Sequence, residues 1–249
     1  MNEQNYRERL SFPRAGAVYL LGAMLGTLLV AGCACMDTVY GSGELFAVIA
    51  KLLMIAALVL TCRVFGGLKK LTEGGYFSRY LPLVLVFPAC SLVMNAGPLT
   101  ASLPFRDAAY WVAGLLTEVL WEELFFRHGA RLLFGRKLLF RPKTIVFTSL
   151  VYGICHLLGS LFDPVSALWA DALLSVCIGL FLTALYLRTK NILVPMTAHF
   201  LMRFTTELFL RCSDAPGSLN AGILFTAFYA LVLLVIGSIL LIRGARAEP

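Results

Sequence analysis

Eight apolar runs dominate the chain, at residues 15–35, 45–65, 80–98, 108–127, 144–162, 167–187, 192–210 and 219–242. At 1.5 Å per residue, each can cross about 30 Å of hydrocarbon as a helix. Backbone amides inside lipid must be satisfied within their own segment or in a closed barrel, and no strand-like alternation is present. The expected fold is therefore all-α: a polytopic membrane protein, a bundle of about eight transmembrane helices. Composition agrees, since a soluble domain of 249 residues needs more polar surface than 59% hydrophobic and 14% charged residues provide. The connections are short and turn-rich or basic, and none is long enough for a second domain. We divide the chain into helices 1–3 (residues 1–107), a polar core of helices 4–7 (108–210), and helix 8 with a tail (211–249).

The net charge of +7 resides in those connections. Counted on alternate sides of the bilayer, 17 Lys and Arg fall on one side and two, Arg106 and Arg211, on the other. This bias predicts that both termini and the connection between the fourth and fifth spans are cytoplasmic, and it excludes nucleic acid as a partner. Arg7, Arg9 and Arg14 before a run ending "LLVAGC" resemble a lipoprotein signal, but a first membrane helix is the preferred reading. The seven cysteines lie mostly in apolar runs, as small buried residues rather than a disulfide or zinc framework.

An ionisable side chain at the centre of a spanning helix costs about 3 kcal/mol on insertion scales, so each is a functional candidate. They cluster here: Glu118, Glu122 and Glu123 in the fourth span, His156 in the fifth, and His199, Arg203 and Glu207 in the seventh. Glu118 and Glu122 share a helix face, as do Glu123 and Arg127, and His199, Arg203 and Glu207 form one stripe. Counted from Arg131, Thr144 and Asn191 respectively, helical rise places Glu122 ~14 Å, His156 ~18 Å and His199 ~12 Å from the cytoplasmic surface. A carboxylate and two imidazoles are expected in one layer, nearer the cytoplasm than the outside. Glu123 with Arg127 is read as a helix-end support, His128 as a surface residue, and Glu207 and Asp171 as interhelical partners. Lys51 is expected to snorkel or find an acidic partner.

Such a layer suits two chemistries. Glu122 can act as a general base on water, with a histidine sharing the water or orienting the carboxylate. Alternatively, Glu122, His156 and His199 can hold one divalent, zinc-like ion with an open position for water. Glu118 bears on both, because two carboxylates one turn apart at low dielectric do not easily both ionise.

Three motifs add a resemblance. "EELFFR" (Glu122 to Arg127) reads E-E-x-x-x-R, "YGICH" (Tyr152 to His156) is similar to F-x-x-x-H, and "HFLMR" (His199 to Arg203) is similar to H-x-x-x-N. In this order, each in its own spanning helix, they resemble the CPBP intramembrane protease family, also called Abi or type II CAAX-protease-like. The resemblance covers about residues 108–210. It implies an eight-helix peptidase with a cytoplasm-facing cavity, in which Glu122 and His156 activate water and His199 helps hold the oxyanion. Glu123 and Arg127 fill the architectural positions, and catalysis of either the metallo- or the glutamate type is compatible. Two positions depart from the pattern: Tyr152 replaces Phe, and Arg203 replaces an Asn expected to donate to the oxyanion. Arginine can donate too, but it is longer and charged, prefers a carboxylate such as Glu118, Glu122 or Glu207, and repels a metal cation.

The leading expectation is an intramembrane endopeptidase of a bacterial cell membrane, cutting a membrane-associated peptide or protein. A catalytically weakened scaffold or bacteriocin self-immunity factor is the alternative that Arg203 favours. A proton-coupled transporter would use the same groups as a relay, but paired broken helices in two matching halves are lacking.

Overall fold

The computed structural model describes residues 11–41, 45–64, 71, 80–85, 88–89, 105–160, 168–212 and 219–245. Most of the third apolar run lies outside the described residues, as do Arg7, Arg9, Lys69, Lys70 and Arg79 and the side chains of Arg106, Asp171 and Arg211. The described residues are helical, without a strand. In chain order they form α1 (Phe12–Tyr40), α2 (Leu45–Val64), α3 (Phe105–Glu123), a π-helical segment π1 (Leu124–Gly129), α4 (Ala130–Leu139), α5 (Pro142–Ser160), α6 (Leu168–Thr189), α7 (Leu193–Cys212) and α8 (Leu219–Ala245). Among the described residues, three stretches, Phe12–Tyr40, Leu45–Val64 and Ala172–Thr189, are long and apolar enough to cross a membrane by length and composition. The polar residues of α3 and α7 lower their hydropathy. The protein is an integral membrane protein of helical-bundle type.

Local chemistry explains the ends. Gly41 closes α1 in the left-handed region (φ 62), with its N–H on the Asp37 carbonyl. The buried Asp37 carboxylate then accepts the amides of Phe46 and Ala47, both at 2.9 Å, satisfying free N–H groups at the start of α2. The basic stretch after the fourth span, expected as a connection, is instead helical. The chain stays helical through α3, π1 and the first turn of α4, and the helix is interrupted at Gly135 (φ 68, ψ 166).

Side-chain contacts fix the helix directions. Along α1, Gly26 meets Trp121, Gly22 meets Phe125, and Phe12 meets Phe134, so α1 and α3–π1–α4 are antiparallel. Phe12 and Gly16 also meet Phe147 near the start of α5. Glu118 faces Arg203, and Trp111 faces Glu207, so α3 and α7 are antiparallel as well. Helix α6 is the most enclosed: Gly153 of α5 lies against Ala172 and Val176, and Gly237 of α8 lies against Leu180 and Phe181. One consequence is that Arg14, Arg63, Arg131, Arg141, Lys143, Arg188 and Lys190 all sit towards the same end of the bundle, here called the basic end.

Candidate active site

Three helices meet at one carboxylate oxygen. Glu122 Oε2 accepts a hydrogen bond from the Tyr152 hydroxyl at 2.8 Å, and lies 3.6 Å from His156 Nε2 and 3.8 Å from His199 Nε2. Tyr152 and His156 are four residues apart on α5, which stacks their rings edge-on at 4.4 Å. His199 comes from α7, and its Nδ1 is 3.0 Å from Glu123 Oε1. That contact orients the imidazole, leaving Nε2 facing Glu122 and, at 3.4 Å, the Tyr152 oxygen. The structure thus brings together Glu122, Glu123, Tyr152, His156 and His199, five of the residues singled out in the sequence.

Glu123 and Arg127 are both fully buried, with Nε and Oε2 at 3.3 Å. The guanidinium carbon lies 4.9 Å from the centre of the Tyr152 ring, a cation–π placement that ties the pair to the site. This is more than a helix-end support. It lies beside the π turn, where Ala130 N–H reaches back to the Phe125 carbonyl. A π segment inserts an extra residue into the turn and re-aims the side chains around it. The Phe126 carbonyl of that segment accepts the buried Tyr19 hydroxyl at 3.2 Å.

His128, expected at the surface, is buried instead, with Nδ1 3.2 Å from the Tyr186 hydroxyl. The helix does not end at the basic stretch, so the π turn rotates His128 into the bundle.

On the other side of Glu122 lies a charge network. Lys51 Nζ donates to Glu118 Oε2 at 3.0 Å, and Arg203 donates through Nη1 to Glu118 Oε1 and through Nη2 to Glu207 Oε1, the latter at 3.0 Å. Trp111 Nε1 donates to Glu207 Oε2 at 2.7 Å. Glu118 is held by two cations, which removes the conflict expected from its spacing to Glu122. The Lys51 contact crosses 67 residues and carries no local signal; only an unexplained cation in an apolar run hinted at it.

The network lines a cavity of about 540 Å³ together with Glu122, His156, Trp121 and the α1 stripe that includes Ala31, Cys35 and Thr38. His199 and Tyr152 stand behind its wall. Phe126, one turn past Glu122, forms the floor, and the rest of the lining rises from the level of Glu122 away from the basic end.

Of the cysteines whose side chains are described, Cys62, Cys155 and Cys177 are buried, Cys33 is half-buried and Cys35 is exposed, all as free thiols, while Cys90 and the side chain of Cys212 lie outside the described residues.

The residues present do not fit a resident metal ion. Among the described residues, no group of three His, Cys, Asp or Glu side chains is arranged to hold one. The reason is local: the Tyr152 hydroxyl occupies the Glu122 oxygen that would be the central ligand, and His199 stands behind the cavity wall.

Neither the curated proteins nor the solved structures yield a match to the chain. A family model does match, across 102 of the 249 residues, and its bounds enclose all of the motif positions. Residues 104–205 match the family described as type II CAAX prenyl endopeptidase Rce1-like, the CAAX-protease-like family that the motifs resemble.

Proposed function

We propose that the protein is an intramembrane endopeptidase that hydrolyses a peptide bond of a membrane-associated polypeptide with water activated by Glu122 and His156. The observation that carries this reading is the 3.6 Å between Glu122 Oε2 and His156 Nε2, both on the wall of the same cavity. Groups so spaced can both touch one water at about 2.8 Å from each. Glu122 takes the proton as the water oxygen attacks the carbonyl carbon, and His156 holds the water's second hydrogen or its lone pair. As the tetrahedral intermediate collapses, the proton passes to the leaving amine.

The oxyanion needs donors aimed into the cavity. Arg203 lines it, while His199 does not, so the role that the resemblance gives to His199 passes to Arg203 in this chain. Two of its five N–H groups hold Glu118 and Glu207, leaving three. His199, fixed by Glu123, becomes a positioning residue for Glu122. The basic end is assigned to the cytoplasm, with both termini.

The test is cleavage of a quenched-fluorescent peptide library in proteoliposomes by the wild-type chain, Glu122→Gln and His156→Ala. Each variant is expected to fold and to lose activity by about 10²–10⁴-fold, the usual contribution of a positioned acid or base. Folded variants with full activity would remove the reading; substrate flux across the vesicle without cleavage would favour a transporter instead.

A further inference from the structure

The cavity runs along the helix axes. On α3 it is lined by Trp111, Leu115, Glu118 and Glu122, one stripe of that helix, and on α1 by Thr27, Ala31, Ala34 and Thr38, a stripe of the same spacing. Each stripe covers ~16 Å of helix at 1.5 Å per residue, the length of about five residues of extended chain. The α1 side is built of small side chains, and the facing side carries the charges.

Lys51 of α2 is the least expected member of that charged side. It is 5% exposed, lines the cavity, and among the described residues has one hydrogen-bond partner, Glu118. An ammonium group has three N–H donors, so two remain. The acceptors beside it are already engaged: the two oxygens of Glu118 take Arg203 and Lys51, and those of Glu207 take Arg203 and Trp111. Two carboxylates and two cations also cancel, so this part of the wall has N–H groups to give and no net charge to draw an anion. A neutral acceptor fits it, and the peptide carbonyl is the neutral acceptor that an extended chain inside a membrane must satisfy.

We propose that Lys51 is a substrate-binding residue, whose remaining N–H groups hold a main-chain carbonyl of an extended polypeptide two residues from the bond being cut. The inference rests on the peptidase reading, which puts the scissile carbonyl beside Glu122. Glu118, and Lys51 bonded to it, stands one turn along α3 from Glu122, ~6 Å at helical rise. In an extended chain alternate carbonyls face the same way, and two residues span ~6.6 Å. A carbonyl presented to the water at Glu122 therefore has its next like-facing neighbour at the level of Lys51. Such a contact sets the register of the substrate through its backbone, and leaves preference among side chains to the α1 wall.

A thermodynamic cycle between protein and peptide tests this. The probes are the tightest-binding member of a library of short fluorescent peptides and its analogues, each with one peptide group replaced by an (E)-alkene, which keeps the extended shape and removes the carbonyl. Affinity is read by fluorescence anisotropy in nanodiscs, in the Glu122→Gln chain so that no probe is cut, with and without Lys51→Met. One analogue is expected to bind the Glu122→Gln chain about 10- to 100-fold more weakly than its parent, the range of one hydrogen bond to a charged group, and to bind the Lys51→Met chain as well as its parent does. The wild-type chain should cut the parent two residues from that group. If Lys51→Met does not fold, Lys51→Gln, neutral and one bond shorter, takes its place and should lose most of the coupling. Every analogue losing equally on both backgrounds would mean that Lys51 only balances Glu118, and would overturn the proposal, as would a cut at any other spacing. Cleavage by the wild-type chain without coupling removes the proposal alone. Coupling without cleavage removes the peptidase and leaves Lys51 a main-chain donor, and a chain that binds no peptide overturns both.

Discussion

The Tyr152 hydroxyl donates to the same Glu122 oxygen, at 2.8 Å, that faces His156 and His199. A phenol in that place holds the carboxylate still and competes with the water for its lone pairs. Tyr152→Phe, which restores the residue of the motif it resembles, is expected to retain activity or raise it by up to about tenfold. It should lower stability by about 1–3 kcal/mol, the range for a hydrogen bond to a charged group. Cleavage rate and thermal unfolding in detergent, measured on the same preparation, check the two signs. Loss of activity as complete as in Glu122→Gln would make the phenol a participant in the reaction instead.

Glu123 and Arg127 form an ion pair with no solvent contact, and both partners also touch the site, through His199 and Tyr152. Removing one charge strands the other, which costs about 3–5 kcal/mol in a buried pair. Arg127→Met is expected to unfold at markedly lower temperature, while Arg127→Met with Glu123→Gln recovers most of the loss. Activity should recover less than stability, because the glutamine of the double variant orients His199 only through a neutral amide. A double variant as unstable as the single one would show that the pair acts through packing rather than charge.

The contrast between these residues shows what could be read from the chain. Glu122, His156 and His199 were legible because each is an expensive group at a helical position, and cost is a property of one residue and its lipid surroundings. The helical bundle was legible for the same reason, through the length of the apolar runs. Lys51 was legible as an anomaly but not as a partner of Glu118, since the contact depends on how α2 packs against α3. The burial of His128 was hidden by composition: Arg131, Arg136 and Lys137 look like an exit from the membrane, and a π turn has no sequence signature of its own.

Arg203 donates to both Glu118 and Glu207 while lining the cavity. If it also receives the oxyanion, Arg203→Ala is expected to lower kcat by about 10²–10³-fold, the loss seen when one preorganised donor is removed, with little change in KM. Glu118 keeps Lys51 and Glu207 keeps Trp111, so the fold should survive. Arg203→Asn is shorter and should recover only part of the rate. Steady-state kinetics across the three chains checks this, and a change confined to KM would instead place Arg203 in substrate binding.

Gly153 sits between Tyr152 and the turn leading to His156, where α5 and α6 touch. A methyl group there would lie 2.3 Å from Val176 Cγ2 and 3.0 Å from the Ala172 carbonyl, and the backbone atom cannot give way. Small residues of this kind let membrane helices approach closely. Gly153→Ala is expected to cost about 1–3 kcal/mol, as overpacking does, and to lower activity by moving Tyr152 and His156 away from Glu122. Adding Val176→Ala should restore part of both, since it removes the nearer clash and leaves the carbonyl contact. Thermal unfolding and cleavage of the pair against the single variant measure the recovery.

Chelator response follows from where the imidazoles point. His199 spends Nδ1 on Glu123 and stands behind the cavity wall, the Tyr152 hydroxyl occupies Glu122 Oε2, and the nearby guanidinium of Arg203 repels a cation. A zinc-like ion needs three such donors free, at about 2.0–2.2 Å from the metal. Opening the site for it would break the Tyr152 bond and turn His199 off Glu123, undoing the contacts that position the base. Cleavage is therefore expected to persist after prolonged treatment with EDTA or 1,10-phenanthroline. Added zinc should inhibit, by taking the Glu122 and His156 positions that the water needs. Activity lost to chelator and restored by zinc would mean that Tyr152 and His199 rearrange in the working enzyme, and that the carboxylate serves as a ligand rather than as the base.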